Sequence, residues 1–532
     1  MEYRRPQSGL VLPSFSELSY SFLSAITLGN LLAALCSILF ACFIIHCWRI
    51  WVVLSQNIPP GPRPWPLFGS FKFFFPRAYL LNMDQKCVCP FRSRMSEFCK
   101  VYGNVYSLFI GARPAIVLNG YATVKEALVN YGEVFSDRPN ISLINILTER
   151  KGIVFASYGP VWREQRRFAH STLRRFGLGK LSLESKIVEE LKYVKEEMLK
   201  HGNKSFNPRT AISVAVANII CSMCFGRRFD YEDKELKTML SITSRGLVLG
   251  YSSMVLLVNV CSWLYYLPFG PFKELRQIFN DLTAFLKKII AQHRFRLDQE
   301  NPQDFIDLYL LEVDQQKGNV ESNFNENYLF YIIADLFVAG SDTTTNTLLW
   351  SLLHMAVHQD VQKKVQEEID TVVGRGRIPS LSDKPSLPFL EATIMEVQRM
   401  SVVVPLSVPH MASKTSMFQG YTIPKGSIIL PNLWSLHRDP TLWVEPNTFN
   451  PCRFLDENRQ IIKNEAFIPF GIGHRVCMGE QMAKMELFLT FAYLMQAFHF
   501  TLPPDAAVPS MEGQLGLILA PFPFEVCISE RC

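Results

Sequence analysis

From Leu18 to Trp48 the chain carries no Asp, Glu, Lys or Arg, and the run LGNLLAALCSILFACFIIHCW within it constrains how everything else is arranged. A helix rises 1.5 Å per residue, so about 20 apolar residues cross a hydrocarbon core. A cleaved signal peptide has a shorter apolar run and a small-residue cleavage site, and this stretch has neither. The expected organisation is an N-terminal tail over 1–22, a single transmembrane anchor over 23–48 and a globular body beyond it. Arg4 and Arg5 before the anchor compete with Arg49 and Arg63 after it, so charge orients the span only weakly. IPPGPRPWPLFG follows, Ile58 to Gly69, and its five prolines forbid a continuing helix. A stiff hinge is therefore expected over 57–69. The next segment, SFKFFFPRAYLLNMDQKCVCPFRSRMSEFCK, mixes aromatic and basic residues, as an interfacial segment or surface insertion does.

The body, 70–532, shows no internal repeat and reads as one domain. A net charge of +6 from 54 basic and 48 acidic residues, without a basic tail or zinc-finger spacing, excludes a nucleic-acid binder. The 13 cysteines scatter through apolar stretches rather than at the spacings of a disulfide framework, which places the body in a reducing compartment. Cys221 and Cys224 form a C-x-x-C without a second pair, inside ANIICSMCF, which reads as a buried helix. Helical periodicity covers Tyr121 to Asn130, Leu181 to Lys200, Phe272 to Asp298, Glu326 to His358, Leu387 to Met400 and Gly479 to Phe498. GYTIPKGSIIL and RPAIVLN read as strands. The fold class is mainly α with small β-sheets.

Chemistry concentrates at FGIGHRVCMG, Phe470 to Gly479, where a single cysteine precedes a long apolar helix. A thiol becomes a ligand as its thiolate. Backbone N–H groups at a helix N-terminus, with Arg475 two residues earlier, favour that anion. Gly471, Gly473 and Gly479 let the backbone approach a flat cofactor. The loop resembles the haem-binding signature of the cytochrome P-450 family, F-x-x-G-x-R-x-C-x-G, at Phe470, Gly473, Arg475, Cys477 and Gly479. The resemblance implies a cytochrome P-450 fold behind the anchor, haem b as cofactor and Cys477 as axial ligand to the iron, where thiolate donation favours O–O cleavage.

Further motifs stand in the family's order. Glu396 and Arg399 in EVQRM share one helix face; such pairs are usually solvated and contribute at most about 1 kcal/mol. With Arg453 in NPCRF they match the family's structural triad. In YIIADLFVAGSDTTTNTLLW, Asp335 and Asp342 interrupt an apolar helix, which excludes a second membrane span. By resemblance, Gly340 leaves room for dioxygen, while Asp342 and Thr343 are catalytic and deliver protons. Trp162 and Arg166 in YGPVWREQRRF, Arg138 in FSDRP, His410 in VPHMA, and Arg475 match positions that bind the haem carboxylates. Arg163, Arg166, Arg167, Arg174, Arg175 and Lys180 form a basic cluster suited to an acidic redox partner.

FSDRP, GPVWREQRRF, LRRFGLGKLSLE, NPQDFID and FIPFGIGHRVCMGEQ resemble the microsomal family 2. The long segment between Gly69 and Tyr102, LYYLPFGPFKELRQI and EATIMEVQRMSVVVPLSVPHM resemble its U subfamily. Cys452 departs from the pattern, at a position often acidic. The resemblance implies hydroxylation of long-chain fatty acids at the terminal or adjacent carbon, with electrons from NADPH through NADPH–cytochrome P-450 reductase and cytochrome b5 as a further partner. It implies an endoplasmic reticulum membrane location with a cytosolic catalytic domain, or a mitochondrial membrane. A lipid-peroxide isomerase and a non-catalytic haem-binding protein are the alternatives, and the Asp342–Thr343 pair speaks against the first. Pocket walls are expected from Asn140 to Val154, Leu240 to Trp263, Ser401 to Val408 and the turn at Leu515 to Leu519.

Overall fold

The computed structural model describes residues 28–66, 69–70, 90–177, 181–202, 204–250, 252–504 and 506–531. The tail over 1–22, the first five residues of the expected anchor, most of the 70–101 segment and Lys180 lie outside these. Helix α1, Leu28–Leu54, is the one helix among the described residues long and apolar enough to cross a membrane, and none of its apolar window is buried. It runs six residues beyond the expected end at Trp48. Arg49 does not stop it, because a long cationic side chain near a span's end reaches out to the interface, where Trp51 also fits.

The proline hinge is docked rather than free. Its Pro60 carbonyl accepts from Ser107 N–H at 2.8 Å, and the Asn57 carbonyl accepts from Thr422 N–H at 2.6 Å. Gly61 lies so close to the Ser107 carbonyl that a Cβ would collide with it. The arm thus fixes the body's angle to α1 through hydrogen bonds to two sheets as well as through proline stiffness.

The body is mainly helical. Its longer helices are α2 Pro90–Tyr102, α3 Pro160–Arg175, α4 Leu181–Leu199, α5 Arg209–Cys224, α6 Lys234–Leu249, α7 Gly270–Arg296, α8 Phe305–Gln315, α9 Glu326–Val357, α10 Gln359–Val372, α11 Pro388–Met400 and α12 Glu480–Ala497. Strands β1 Val105–Ile110, β2 Arg113–Leu118, β3 His410–Met411 and β6 Ile428–Pro431 form a sheet in the order β1-β2-β6-β3; between β3 and β6 in the chain lie β4 Ser416–Phe418 and β5 Tyr421–Ile423, a separate hairpin. Most helical expectations agree within two residues, but Tyr121 to Asn130 divides into an α turn and a π-helical turn over Glu126–Asn130. That wider turn brings the Leu128 carbonyl against Gly473 of the cysteine loop; π turns of this kind recur at functional sites.

At 32 residues, α9 is about 48 Å long and forms the central beam. Asn325 caps it, its side chain accepting from Tyr328 N–H. From Thr344 to Ala356 every residue is buried, among α5, α10, α11 and α12. Cys221 and Cys224 lie buried as free thiols in α5, as the apolar reading of that helix requires.

Candidate active site

Gly471 and Gly473 adopt positive φ, 77° and 81°, and a Cβ at Gly473 would strike the Leu128 carbonyl. Glycine there is required by both backbone conformation and close approach. The turn is closed by Cys477 N–H donating to the Phe470 carbonyl at 3.0 Å, and α12 starts three residues later. A Cβ built at Gly471 or Gly479 meets no atom within 4 Å, so this face of the loop is open.

Cys477 sits deep in the protein, yet its own side chain is exposed. The two facts agree if the sulfur faces an interior hollow rather than the outer surface. Burial pushes its thiol above the ordinary value; the Gly479 N–H and, more weakly, Arg166 pull it down, while Glu480 pushes it up. Contrary to expectation, Arg475 is not the cation that acts on this thiol. Arg475 points away, donating to the carbonyls of Ser136 (2.9 Å), Ile153 (3.0 Å) and Ala156 (2.6 Å). The cation beside the sulfur is Arg166, whose Nη2 donates to the Val476 carbonyl at 2.5 Å. A thiol held upward by burial needs a strongly positive partner to ionise, and a metal ion provides one.

Arg138, Trp162, Arg166, His410 and Arg475 are brought together. Arg138 donates to the carbonyls of Val154 (2.7 Å), Val408 and Pro409 (both 2.9 Å). The Trp162 ring has the Arg475 guanidinium 4.2 Å and the Arg166 guanidinium 5.3 Å from its centroid. Its indole N–H is not free for a carboxylate, because it donates to the Ile153 carbonyl at 3.0 Å. His410 Nδ1–H donates to the Phe135 carbonyl at 2.7 Å, and burial, with Arg138 nearby, holds the ring neutral. A carboxylate meeting Nε2 would therefore have to share a proton with it. Burial lowers Arg475 to about 9, and burial together with the neighbouring Arg475 charge lowers Arg138 well below its ordinary value.

Among the described residues none of Arg138, Arg166 and Arg475 has an acidic side chain within ion-pair distance. Asp137 and Asp335 offset Arg138 and Arg475 in part without pairing with them directly, so three clustered guanidinium groups still suit a group that brings further carboxylates, and the open thiol face suits its metal. Haem b would be held by Cys477 as the iron ligand and by these cations as partners of its carboxylates.

Asp335 was visible in the sequence only as a break in an apolar helix. It is half-buried in α9 and accepts from Ile153 N–H (2.6 Å) and Val154 N–H (2.8 Å), and desolvation pushes its carboxyl up to about 6. Ile153 is thus the hub of the site: its carbonyl takes both Trp162 and Arg475, and its N–H takes Asp335.

Farther along α9, Ala339 is exposed and Thr343 half-buried while the following residues are buried. Gly340 does not supply the open space expected of it. A Cβ there would come within 2.5 Å of the Ile220 terminal methyl, so Gly340 serves the packing of α5 on α9, and the accessible small residue is Ala339. Gly340→Val is expected to cost about 1–3 kcal/mol by overpacking, read as a lower thermal midpoint. Gly340→Ala, where Ile220 can turn aside and helix propensity improves, should change it little.

Asp342 and Thr343 diverge. Asp342, half-buried like Thr343, has its carboxyl pushed up by desolvation; Asn346 Nδ2 donates to Oδ2 at 3.1 Å, and Arg209 and Ser244 lie nearby. Thr343 Oγ1 donates to the Ala339 carbonyl at 2.7 Å. Sequence gave no signal for Arg209, Ser244 or Asn346. The Glu396–Arg399–Arg453 group is assembled and buried: Arg399 makes two bonds to Glu396 (2.7 and 2.9 Å) and Arg453 Nε one at 3.0 Å. Of the basic cluster, Arg163, Arg167, Arg174 and Arg175 are exposed and Arg163 pairs with Glu133.

The four expected wall segments also meet. Leu143 N–H donates to Asn259 Oδ1 at 3.0 Å, Leu519 N–H to the Val403 carbonyl at 2.8 Å and Leu517 N–H to the Leu247 carbonyl at 3.4 Å.

A helical body with an accessible deep thiol just before α12, beside a cluster of guanidinium groups, defines a haem-thiolate protein. Residues 59–528 match the family model "Cytochrome P450", and the chain belongs to that family of monooxygenases. It is 59% identical over 490 residues to cytochrome P450 2U1 of Homo sapiens and 58% over 498 residues to that of Bos taurus, covering 90–91% of each chain. Cytochrome P450 2J2 of Homo sapiens is 40% identical over 89% of this chain and 91% of its own. These place the chain in family 2, U subfamily.

Proposed function

We propose that this monooxygenase hydroxylates long-chain fatty acids at the terminal or adjacent carbon, at the endoplasmic reticulum membrane, with NADPH–cytochrome P-450 reductase, and cytochrome b5 as a further donor, supplying electrons. The observation that carries the reaction class is the accessible Cys477 sulfur deep inside the body, at the start of the helix against which α9 packs. Haem b bound there supplies dioxygen binding and reductive O–O cleavage.

The chain's residues do the rest. Cys477 would be the iron ligand, and Arg138, Arg166 and Arg475 would hold the cofactor's carboxylates. Asp342, its carboxyl pushed up by burial, is the proton-handling group, and Asn346 and Arg209 form a hydrogen-bonded chain with it. Thr343, half-buried on α9 next to exposed Ala339, would offer its hydroxyl for proton delivery. Asp342→Asn is expected to slow turnover by about 10²-fold. Thr343→Ala should keep consuming NADPH while hydroxylated product per NADPH falls and hydrogen peroxide rises; unchanged product yield per NADPH would remove Thr343 from proton delivery.

Lipid as substrate is supported by α1 and by a second apolar surface, where Trp263, Tyr266 and Phe269 are each more than 60% exposed; aromatic residues of this kind anchor at membrane interfaces. Exposed Arg167, Arg174 and Arg175 offer a basic face to an acidic reductase. The test is incubation with reductase, NADPH and saturated and polyunsaturated fatty acids of graded length, with the oxidised carbon located by mass spectrometry. Products hydroxylated at or next to the chain end are expected. Hydroxylation far from it, or none with any acid, overturns the substrate assignment.

A further inference from the structure

Where α7 ends and α8 begins, away from the haem-thiolate site, His293, Asp304 and Asp307 are buried and offer ligand atoms within 4.8 Å of one another. Each is oriented by a backbone bond through a different atom. His293 Nδ1–H donates to the Ile289 carbonyl at 2.8 Å. Asp304 Oδ1 accepts from Asp307 N–H at 3.0 Å, and Asp307 Oδ2 accepts from Gln303 N–H at 3.0 Å. His293 Nε2 and Asp304 Oδ2 are paired with each other at 2.9 Å, and Asp307 Oδ1 beside them is left over.

The independent observation is Asp307 Oδ1. It is buried in a residue only 5% exposed and has no hydrogen-bond partner. A buried carboxylate oxygen without a donor is costly, and a cation supplies what it lacks. An Nδ1–H bonded to a backbone carbonyl is also how metal-binding histidines are held with Nε2 as the ligand atom. The competing cation is Arg296, whose Nη2 lies 2.7 Å from His293 Nε2 and 3.7 Å from Asp304 Oδ2. Its side chain is 52% exposed and can turn outward to solvent.

We propose that His293, Asp304 and Asp307 bind a divalent cation of the zinc class, which takes the place of the His293–Asp304 hydrogen bond and its proton, displaces Arg296 and clips the end of α7 to the start of α8. One imidazole and two carboxylates suit zinc, with water completing the shell, whereas calcium and magnesium prefer oxygen alone. Such a clip closes the loop 297–304.

The experiment uses full-length, haem-loaded protein in detergent, stripped with a chelator, dialysed against Zn²⁺ and assayed for zinc and iron by elemental mass spectrometry. One zinc per haem is expected, with a raised thermal midpoint. Asp307→Asn keeps the acceptor for Gln303 N–H and should retain haem while losing the zinc; His293→Gln should do the same, and Arg296→Met should bind zinc more tightly. Zinc uptake unchanged by Asp307→Asn would place the metal on thiols elsewhere and overturn the proposal. So would failure of both wild type and Arg296→Met to bind it.

Discussion

Cys477→Ser is expected to reduce NADPH-supported oxygen uptake to background while the polypeptide stays folded. The loop around Cys477 is held by backbone bonds and by the positive-φ glycines, none of which the sulfur supports. Serine has nearly the same shape, but its hydroxyl does not ionise at neutral pH and is a poor ligand where thiolate donation is needed. The variant should keep its far-ultraviolet circular dichroism, contain less haem and form no hydroxylated product. Turnover comparable to wild type would remove the cysteine from the mechanism.

Glu396→Ala is expected to be the most destabilising single change at the structural group. Glu396 and Arg399 are both fully buried, and Glu396 also accepts from Asn450 N–H at 2.8 Å and from Arg453. Removing one partner of a buried ion pair costs about 3–5 kcal/mol because the other charge is stranded. Here two guanidinium groups lose their counter-ion, against a total stability of about 5–15 kcal/mol for a typical domain. Haem-loaded yield and thermal midpoint should both fall sharply. A midpoint within the range of surface substitutions would show that the remaining carbonyl acceptors at His437 and Pro446 suffice for Arg399.

Local chemistry made the cysteine loop legible before any coordinates. Glycines permitting positive φ, a cysteine and a following apolar helix each restrict the backbone in a short span, and the structure has Gly471, Gly473 and α12 in those roles. Long helices were legible because burial imposes their period, and α9 was found within one residue at its C-terminal end. Partner identity was not legible, because it depends on which backbone groups the fold leaves over. The sequence offers Trp162 and Arg475 as donors, but only the fold sends both to the Ile153 carbonyl. It offers a small residue at 340, but only the α5 contact shows Ile220 beside it. The hinge was legible as stiff, since proline fixes φ, but not as docked, since its acceptors lie in strands far along the chain.

The most direct test of thiolate ligation is the reduced, carbon-monoxide-treated difference spectrum of the purified full-length protein, measured alongside its haem content. Ligation by Cys477 predicts a thiolate-type Soret band that scales with bound haem. An imidazole-type band from folded, haem-loaded protein would contradict it.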